Sequence, residues 1–469
     1  MKRIIFILIS ILLMASCSSN PDRKGISTPG NKDIHAYGDG FVVTMENDDH
    51  GHGLFCVRNL KGDLIKRIEH PDLEKGFSGF YQSGGKGYCA IGLSPPEKGY
   101  LFINPKGDFL TKQAIKKYES LGNGYVKFSF DYDVSNPKNS HWGILDGKGS
   151  ILMEPKYSEI GSYADGLFLA KSGEKYGYIN KNGKEVIPFQ YADAKPFSEG
   201  TALVYKDEQS SPEFMDTDGH LVLTSPYPYV RSAGFSSGLV GVADATERFG
   251  YMDKAGSLVI DLQFQEVSEF TGDLAAVKKD DLWGIIDKTG AFVLAPAIDC
   301  HKAWMLSDSV MMAEYNPDGV GLTHTYKLLN THGEPISEEP YDRISVYTED
   351  HYAIAKSKND WVYIDLKAGN IINDASYDSA TPFDGGYAAV STNGKYGIIN
   401  RKGNYVIPPE YNYLGPVVNG VMPYKKAGQM EEIDKKERAV NNGYMDRKGN
   451  IIFAIDDLHA ISLSPYFSD

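Results

Sequence analysis

Three short stretches carry residue types that do chemistry elsewhere. Gly234-Phe235-Ser236-Ser237-Gly238 has the G-x-S-x-G spacing that presents a serine nucleophile. That use requires a strand–turn–helix setting, with an acid and then a histidine downstream. Asp48-Asp49-His50-Gly51-His52 gathers carboxylates and imidazoles, the donors that bind divalent metals. Asp216-Thr217-Asp218-Gly219 begins like a calcium loop but lacks the later ligands. A fourth group is aromatic. Tyr227, Tyr229, Trp304, Tyr315 and Tyr347, with Tyr352 and Tyr466, fall outside the regular pattern of the chain. If exposed, they could stack on sugars or anchor a protein partner. There is no P-loop, dinucleotide fingerprint, H-E-x-x-H or paired-histidine motif.

Each stretch is read against the elements around it, and those elements repeat. Trp142-Gly-Ile-Leu-Asp-Gly-Lys-Gly149, Tyr176-Gly-Tyr-Ile-Asn-Lys-Asn-Gly183, Phe249-Gly-Tyr-Met-Asp-Lys-Ala-Gly256, Trp283-Gly-Ile-Ile-Asp-Lys-Thr-Gly290 and Tyr396-Gly-Ile-Ile-Asn-Arg-Lys-Gly403 are copies of one unit. Weaker copies bring the terminal glycines to 62, 107, 149, 183, 219, 256, 290, 333, 369, 403 and 449, which makes eleven units. An Asn or Asp stands three residues before each of these glycines, except at Gly369, where Asp365 stands four before. Asx followed by Gly at this distance is hairpin chemistry: the side chain caps a type I turn and the glycine takes the left-handed position of a bulge. On this frame Asp216 and Asp218 belong to a repeat turn. Ser236 holds the same place as Ser198 in Phe197-Ser198-Glu199-Gly200, a corner and not a nucleophile elbow. Asp48–His52 reads as a turn between strands near 41–45 and 54–58.

The strand before the turn is apolar on both faces. Trp283 and Ile285 point one way and Ile286 the other, and Tyr178 with Ile179 and Ile398 with Ile399 repeat the pattern. Strands buried on two sides imply sheets stacked on sheets. The glycine after the aromatic suits a place where another backbone comes close. A second short strand follows the turn and is expected to stop at Pro188 or Pro408, since proline cannot donate to a ladder. An aromatic, a corner and a third strand complete the unit.

The pattern aromatic-Gly-x-Ile-Asn/Asp-x-x-Gly-x-x-Val-Ile-Pro, then Tyr, then Phe-x-x-Gly-x-Ala-x-Val, resembles the bacterial WG (KWG) repeat family, from about Gly53 to Phe453. The resemblance implies a tandem β-repeat, often exported, with no general catalytic residues to carry over. The expected fold class is all-β, with tandem short-strand meanders in β-propeller-like blades or, alternatively, an open β-solenoid.

The N-terminus sets the expected compartment. Lys2 and Arg3 precede an apolar run from Ile4 to Met14, too short to span a bilayer, and Ala15-Ser16-Cys17 follows. This ending resembles the lipobox of bacterial lipoproteins, which implies lipidation of Cys17. Residues 1–17 then form the signal, 18–36 a polar tether and 37–469 the repeat domain. The expected location is the cell envelope, with membrane attachment through the N-terminal lipid alone. The net charge of −14 and the lack of a basic run exclude nucleic acid as the main partner. Cys56, Cys89 and Cys300 lack metal-ligand spacing and read as small buried apolar residues. No metal, cofactor or catalytic residue is expected. The functional expectation is a scaffold for an envelope or exported protein, with Trp304, Tyr227, Tyr229, Tyr315 and Tyr347 as candidate contacts. The alternatives are a glycan-binding lipoprotein and a propeller hydrolase with a carboxylate site.

Overall fold

Two-faced apolar strands separated by Asx–Gly turns fold here into a row of small antiparallel sheets. The computed structural model describes residues 34–455, apart from 39–40, 48–52, 60–62, 72, 74–76, 82–87, 94–98, 123, 317–323, 348–349, 359, 418–419 and 434–435. The lipobox and Tyr466 therefore lie outside the described residues, as does Asp48–His52, although the strands Phe41–Asn47 and Gly53–Asn59 flank it as expected. Among the described residues there are eleven sheets, nine of four strands and two of three, each a meander of consecutive strands. In chain order they span 34–68, 77–103, 117–157, 159–191, 193–224, 229–264, 266–298, 302–330, 343–371, 379–411 and 413–455. The eleven units expected from the turn glycines are these eleven sheets. No helix among the described residues is long and apolar enough to cross a membrane.

The stacking follows from the two-faced strands. In the seventh sheet, Ala276, Trp283 and Ile285 pack with Met305, Met311 and Leu329 of the eighth. From the opposite face, Ala275, Val277 and Ile286 pack with Tyr251, Ile260 and Phe264 of the sixth. Tyr178 and Ile179 divide in the same way between the fourth sheet's two neighbours, and Ile398 and Ile399 between the tenth's. Ten apolar clusters fill the ten junctions between consecutive sheets. Removing such side chains from water is the main favourable term in the fold.

The repeat turn has the expected chemistry. The Asp287 carboxylate accepts hydrogen bonds from Thr289 N–H at 2.8 Å and Ala291 N–H at 3.1 Å. Gly290 closes the turn at φ 84°, donating its N–H to the Asp287 carbonyl at 3.0 Å. The pairing register slips between Ile285 and Ile286, as the bulge requires. The slipped unit is confirmed: Gly369 N–H donates to the Asp365 carbonyl at 2.8 Å.

The strand after the turn does not stop at proline. Glu185–Tyr191 and Tyr405–Tyr411 run through Pro188 and Pro408 to the next aromatic. Trp283 and Ile285, two residues apart, pair with Ile298 and Leu294, four apart. The surplus residues, with Pro296, bulge out of the ladder. This is the outer strand of its sheet, so a proline there breaks no inner hydrogen bond. The bulge folds back over the glycine of the aromatic–Gly pair, which explains that glycine.

Candidate functional site

In most of the four-stranded sheets two loops lie at the same end of the strands. One is the Asx–Gly turn between the third and fourth strands. The other is the aromatic-x-x-Gly corner between the first and second. The corners are knit from sheet to sheet. Ser198 Oγ donates to the Phe235 carbonyl at 2.7 Å, Ser236 Oγ to Phe270 at 2.7 Å, and Thr271 Oγ1 to Met305 at 3.1 Å. Ser236 is thus a tie between repeats, in all-β surroundings, and its hydroxyl serves the neighbouring corner.

Carboxylates form a second set of ties. Asp165 Oδ2 accepts from Gly200 N–H at 2.7 Å, and Glu199 Oε2 from Gly238 N–H at 3.0 Å. Both acids sit at positive φ, 47° and 52°, which turns the side chain toward the next sheet. Cations from the Asx–Gly turns then reach the corner acids. Lys254 Nζ lies 3.3 Å from Glu199 Oε2, and Lys288 Nζ lies 2.9 Å from Asp273 Oδ1. Arg401 pairs with the Asp350 carboxylate and lies over the Tyr352 ring, 5.9 Å from its centroid.

At the junction of the tenth and eleventh sheets the same elements leave a cleft of about 400 Å³. Asp384 and Gly385 from one corner, Gly420 from the next, and Asp446, Arg447 and Lys448 from a turn line it. Arg447 lies over the Tyr387 ring, 5.1 Å from its centroid. The Asp446 carboxylate is occupied by its own turn, accepting from the N–H groups of Lys448 at 2.8 Å and Asn450 at 2.9 Å.

Four of the five candidate aromatics pack at four different junctions. Tyr227 packs against the core between the fifth and sixth sheets, and Tyr315 against that between the seventh and eighth. Trp304 packs between the eighth and ninth. Tyr347 packs between the ninth and tenth, its ring stacked on Tyr352 with centroids 4.7 Å apart. Tyr352 itself is buried. Tyr229, 48% exposed, is the one of the five that faces solvent. Burial raises the phenol pKa of Tyr315 and of Tyr347.

Asp216, Asp218 and His220 bring three ligand atoms within 4.8 Å of one another. The turn already uses this group: Asp216 Oδ1 accepts from Asp218 N–H at 3.0 Å and His220 N–H at 2.8 Å, and Oδ2 meets His220 Nδ1 at 3.2 Å. Cys56, Cys89 and Cys300 are buried. Burial raises the Cys89 thiol far above its ordinary value and pushes Cys300 up to about 12.

Sequence reasoning missed two features. Glu314 is the one buried acid among the described residues, held by His324 Nδ1 at 2.7 Å. A lone Glu inside an apolar strand, Val310–Tyr315, was the available signal. The cleft was the other, and its signal was the substitution of glycine for an acid at a corner.

The family described as WG containing repeat matches five times, at residues 142–176, 176–209, 249–283, 361–396 and 396–429. No curated protein matches. Among solved structures, a eukaryotic initiation factor is 9% identical, with 70% of this chain and 95% of that one covered, at a TM-score of 0.40. Kluyveromyces lactis Hsv2p is 12% identical, with 54% and 97% covered, at 0.29. Porphyromonas gingivalis PorZ, a surface component of the type-IX secretion system, is 8% identical, with 89% and 64% covered, at 0.23. Similarities this remote carry no functional argument. The aromatic–Gly strands, the Asx–Gly turns and the five matches agree on one assignment: this chain carries the repeats of the WG family, over residues 142–209, 249–283 and 361–429.

Proposed function

We propose that this repeat scaffold is non-catalytic, is held in the cell envelope by a lipid on Cys17, and binds a protein partner along its outer strands. The observation that carries the reading is where exposed apolar residues fall. Two and three residues past the turn glycine, Leu64 with Ile65, Leu221 with Val222, Phe292 with Val293 and Tyr405 with Val406 are each at least 40% exposed. Val186, Val259 and Ile451 extend the series. Seven outer strands therefore present apolar side chains at the same step. Exposed apolar surface in a regular array suits a polypeptide partner better than a sugar. The hydroxyls of Ser198, Ser236 and Thr271 and the carboxylates of Asp165 and Glu199, which could have suggested catalysis, tie neighbouring sheets.

The test is retention of solubilised envelope material by the chain, run in parallel on protease-treated envelope and with the double variant Phe292→Lys, Val293→Lys. The expected result is retained protein that disappears after proteolysis and is reduced by the variant. Retention that survives protease and is competed by free oligosaccharide replaces this reading with glycan binding.

A further inference from the structure

We propose that the cleft between the tenth and eleventh sheets is a carboxylate-binding subsite, taking a side-chain or C-terminal carboxylate of a polypeptide partner. The inference deepens the scaffold reading and rests on it for the class of ligand.

The chain carries its own templates for this site. Between the fifth and sixth sheets, the Glu199 carboxylate accepts from Gly238 N–H at 3.0 Å and is ion-paired with Lys254 Nζ at 3.3 Å, while Lys254 Nζ also donates to the Glu199 carbonyl at 2.6 Å. Position by position, the last junction has Gly385 for Glu199, Gly420 for Gly238 and Arg447 for Lys254. Both donor types remain and the carboxylate is gone. Arg401 is the second template. It occupies the same turn position as Arg447 and rests on the equivalent ring, Tyr352 in place of Tyr387, and it pairs with Asp350. Among the described residues Arg447 has no such acid.

A third junction shows that a corner carboxylate need not come from the corner residue. Between the seventh and eighth sheets that residue is Gly272, and a side chain built on it would overlap the Asp308 carboxylate. Asp308, from the next sheet, accepts from Asp273 N–H at 2.8 Å. A carboxylate thus arrives from outside at a glycine corner. At Gly385 the nearest atom to an added Cβ is Arg447 Nη1, at 3.4 Å, and the space opens into the cleft.

Charge selects the ligand. A guanidinium with one N–H beside it suits a planar monoanion. Asp384 and Asp446 also line the cleft and would repel a phosphate dianion more strongly. Lys448 at the rim adds attraction for an acidic segment.

The experiment uses the full chain in detergent and two labelled peptides without aromatic or basic residues. One carries a single Glu and blocked ends. The other has no acidic side chain and a free C-terminal carboxylate. Inorganic phosphate is the competitor. The expected result is saturable binding of at least one peptide, weakened about tenfold or more by Arg447→Ala and equally by Gly385→Glu. Gly385 has φ 56°, close to the 52° that Glu199 adopts, so Gly385→Glu supplies the carboxylate in cis and should raise the unfolding midpoint. That rise separates blocking from misfolding. Which peptide binds identifies the source of the carboxylate. Equal binding by all three chains, no binding of either peptide, or phosphate outcompeting both peptides overturns the subsite. If the peptides fail while envelope protein is still retained by Arg447→Ala, the subsite falls and the scaffold stands. Peptide binding that depends on Arg447, without retention of any envelope protein, leaves the subsite and removes the scaffold reading.

Discussion

The α-carbon of Gly284 faces the carbonyl of Leu294 so closely that an added Cβ would lie 2.6 Å from that oxygen and 2.9 Å from Pro296 N. The glycine exists so that the bulged outer strand can fold over it. Gly143 and Gly397 stand in the same relation to Met153 and Ile407. Gly284→Ala should therefore destabilise its junction by about 1–3 kcal/mol, the usual cost of forcing a methyl group into a packed interior. Gly161→Ala is the control, because its added Cβ meets only the Leu169 side chain, with Leu169 Cβ the nearest atom at 3.4 Å. Urea denaturation followed by tryptophan fluorescence compares them, since Trp283 adjoins Gly284. Equal loss in both variants would refute the close-approach argument.

Acid should loosen the turns that carboxylates cap. Hydrogen bonds from the Thr289 hydroxyl and from backbone N–H groups lower the Asp287 pKa, and the Thr246 hydroxyl acts likewise on Asp244. A carboxyl with a depressed folded pKa contributes stability above its unfolded value of about 3.9 and loses it as pH falls through the folded value. The chain should hold its stability down to about pH 4 and lose it below. Asp287→Asn keeps the acceptor and removes the charge, as Asn180 and Asn400 do in their turns. Thermal unfolding of the variant between pH 5 and 2 should show a smaller acid loss than the parent chain.

Ser236→Ala removes one tie, to the Phe270 carbonyl. A lost hydrogen bond of this kind costs about 1 kcal/mol, and amide exchange should quicken in the sixth and seventh sheets ahead of the rest. Hydrolysis of p-nitrophenyl esters should be absent from parent and variant alike. A parent activity lost on Ser236→Ala would restore the nucleophile reading.

The thiols offer a test of packing. Cys56, Cys89 and Cys300 are each less than 9% exposed, and burial raises the pKa of Cys89 and Cys300. At pH 8 iodoacetamide should leave these three unmodified in the native chain and label all of them in urea, as mass spectrometry would show. Labelling of Cys300 without denaturant would mean that the junction of the seventh and eighth sheets opens readily.

Much of this was legible in the residues, and the reasons are local. Asx and Gly three apart dictate a turn whichever sheet follows. Apolar neighbours such as Ile285 and Ile286 must face opposite ways, so stacked sheets followed from adjacent positions alone. Proline misled: at Pro188 and Pro408 its missing N–H suggests a stop, but an outer strand needs no donor on its free side. The ties between corners were not legible, because Glu199 and Gly238 meet across 39 residues and only stacking brings them together. The cleft was hidden for the same reason. Gly385 reads as an ordinary corner glycine until Glu199 is seen to do something in its place.

Ten separate cores, each shared by two neighbouring sheets, also decide how damage spreads. A conventional domain pools its apolar contacts, so a defect anywhere taxes the whole. Here a lesion such as a lost tie at the sixth sheet loads two junctions and leaves distant ones intact. The array should fail as a zipper does, tooth by tooth from the weakest pair, with native blocks surviving on either side of the break.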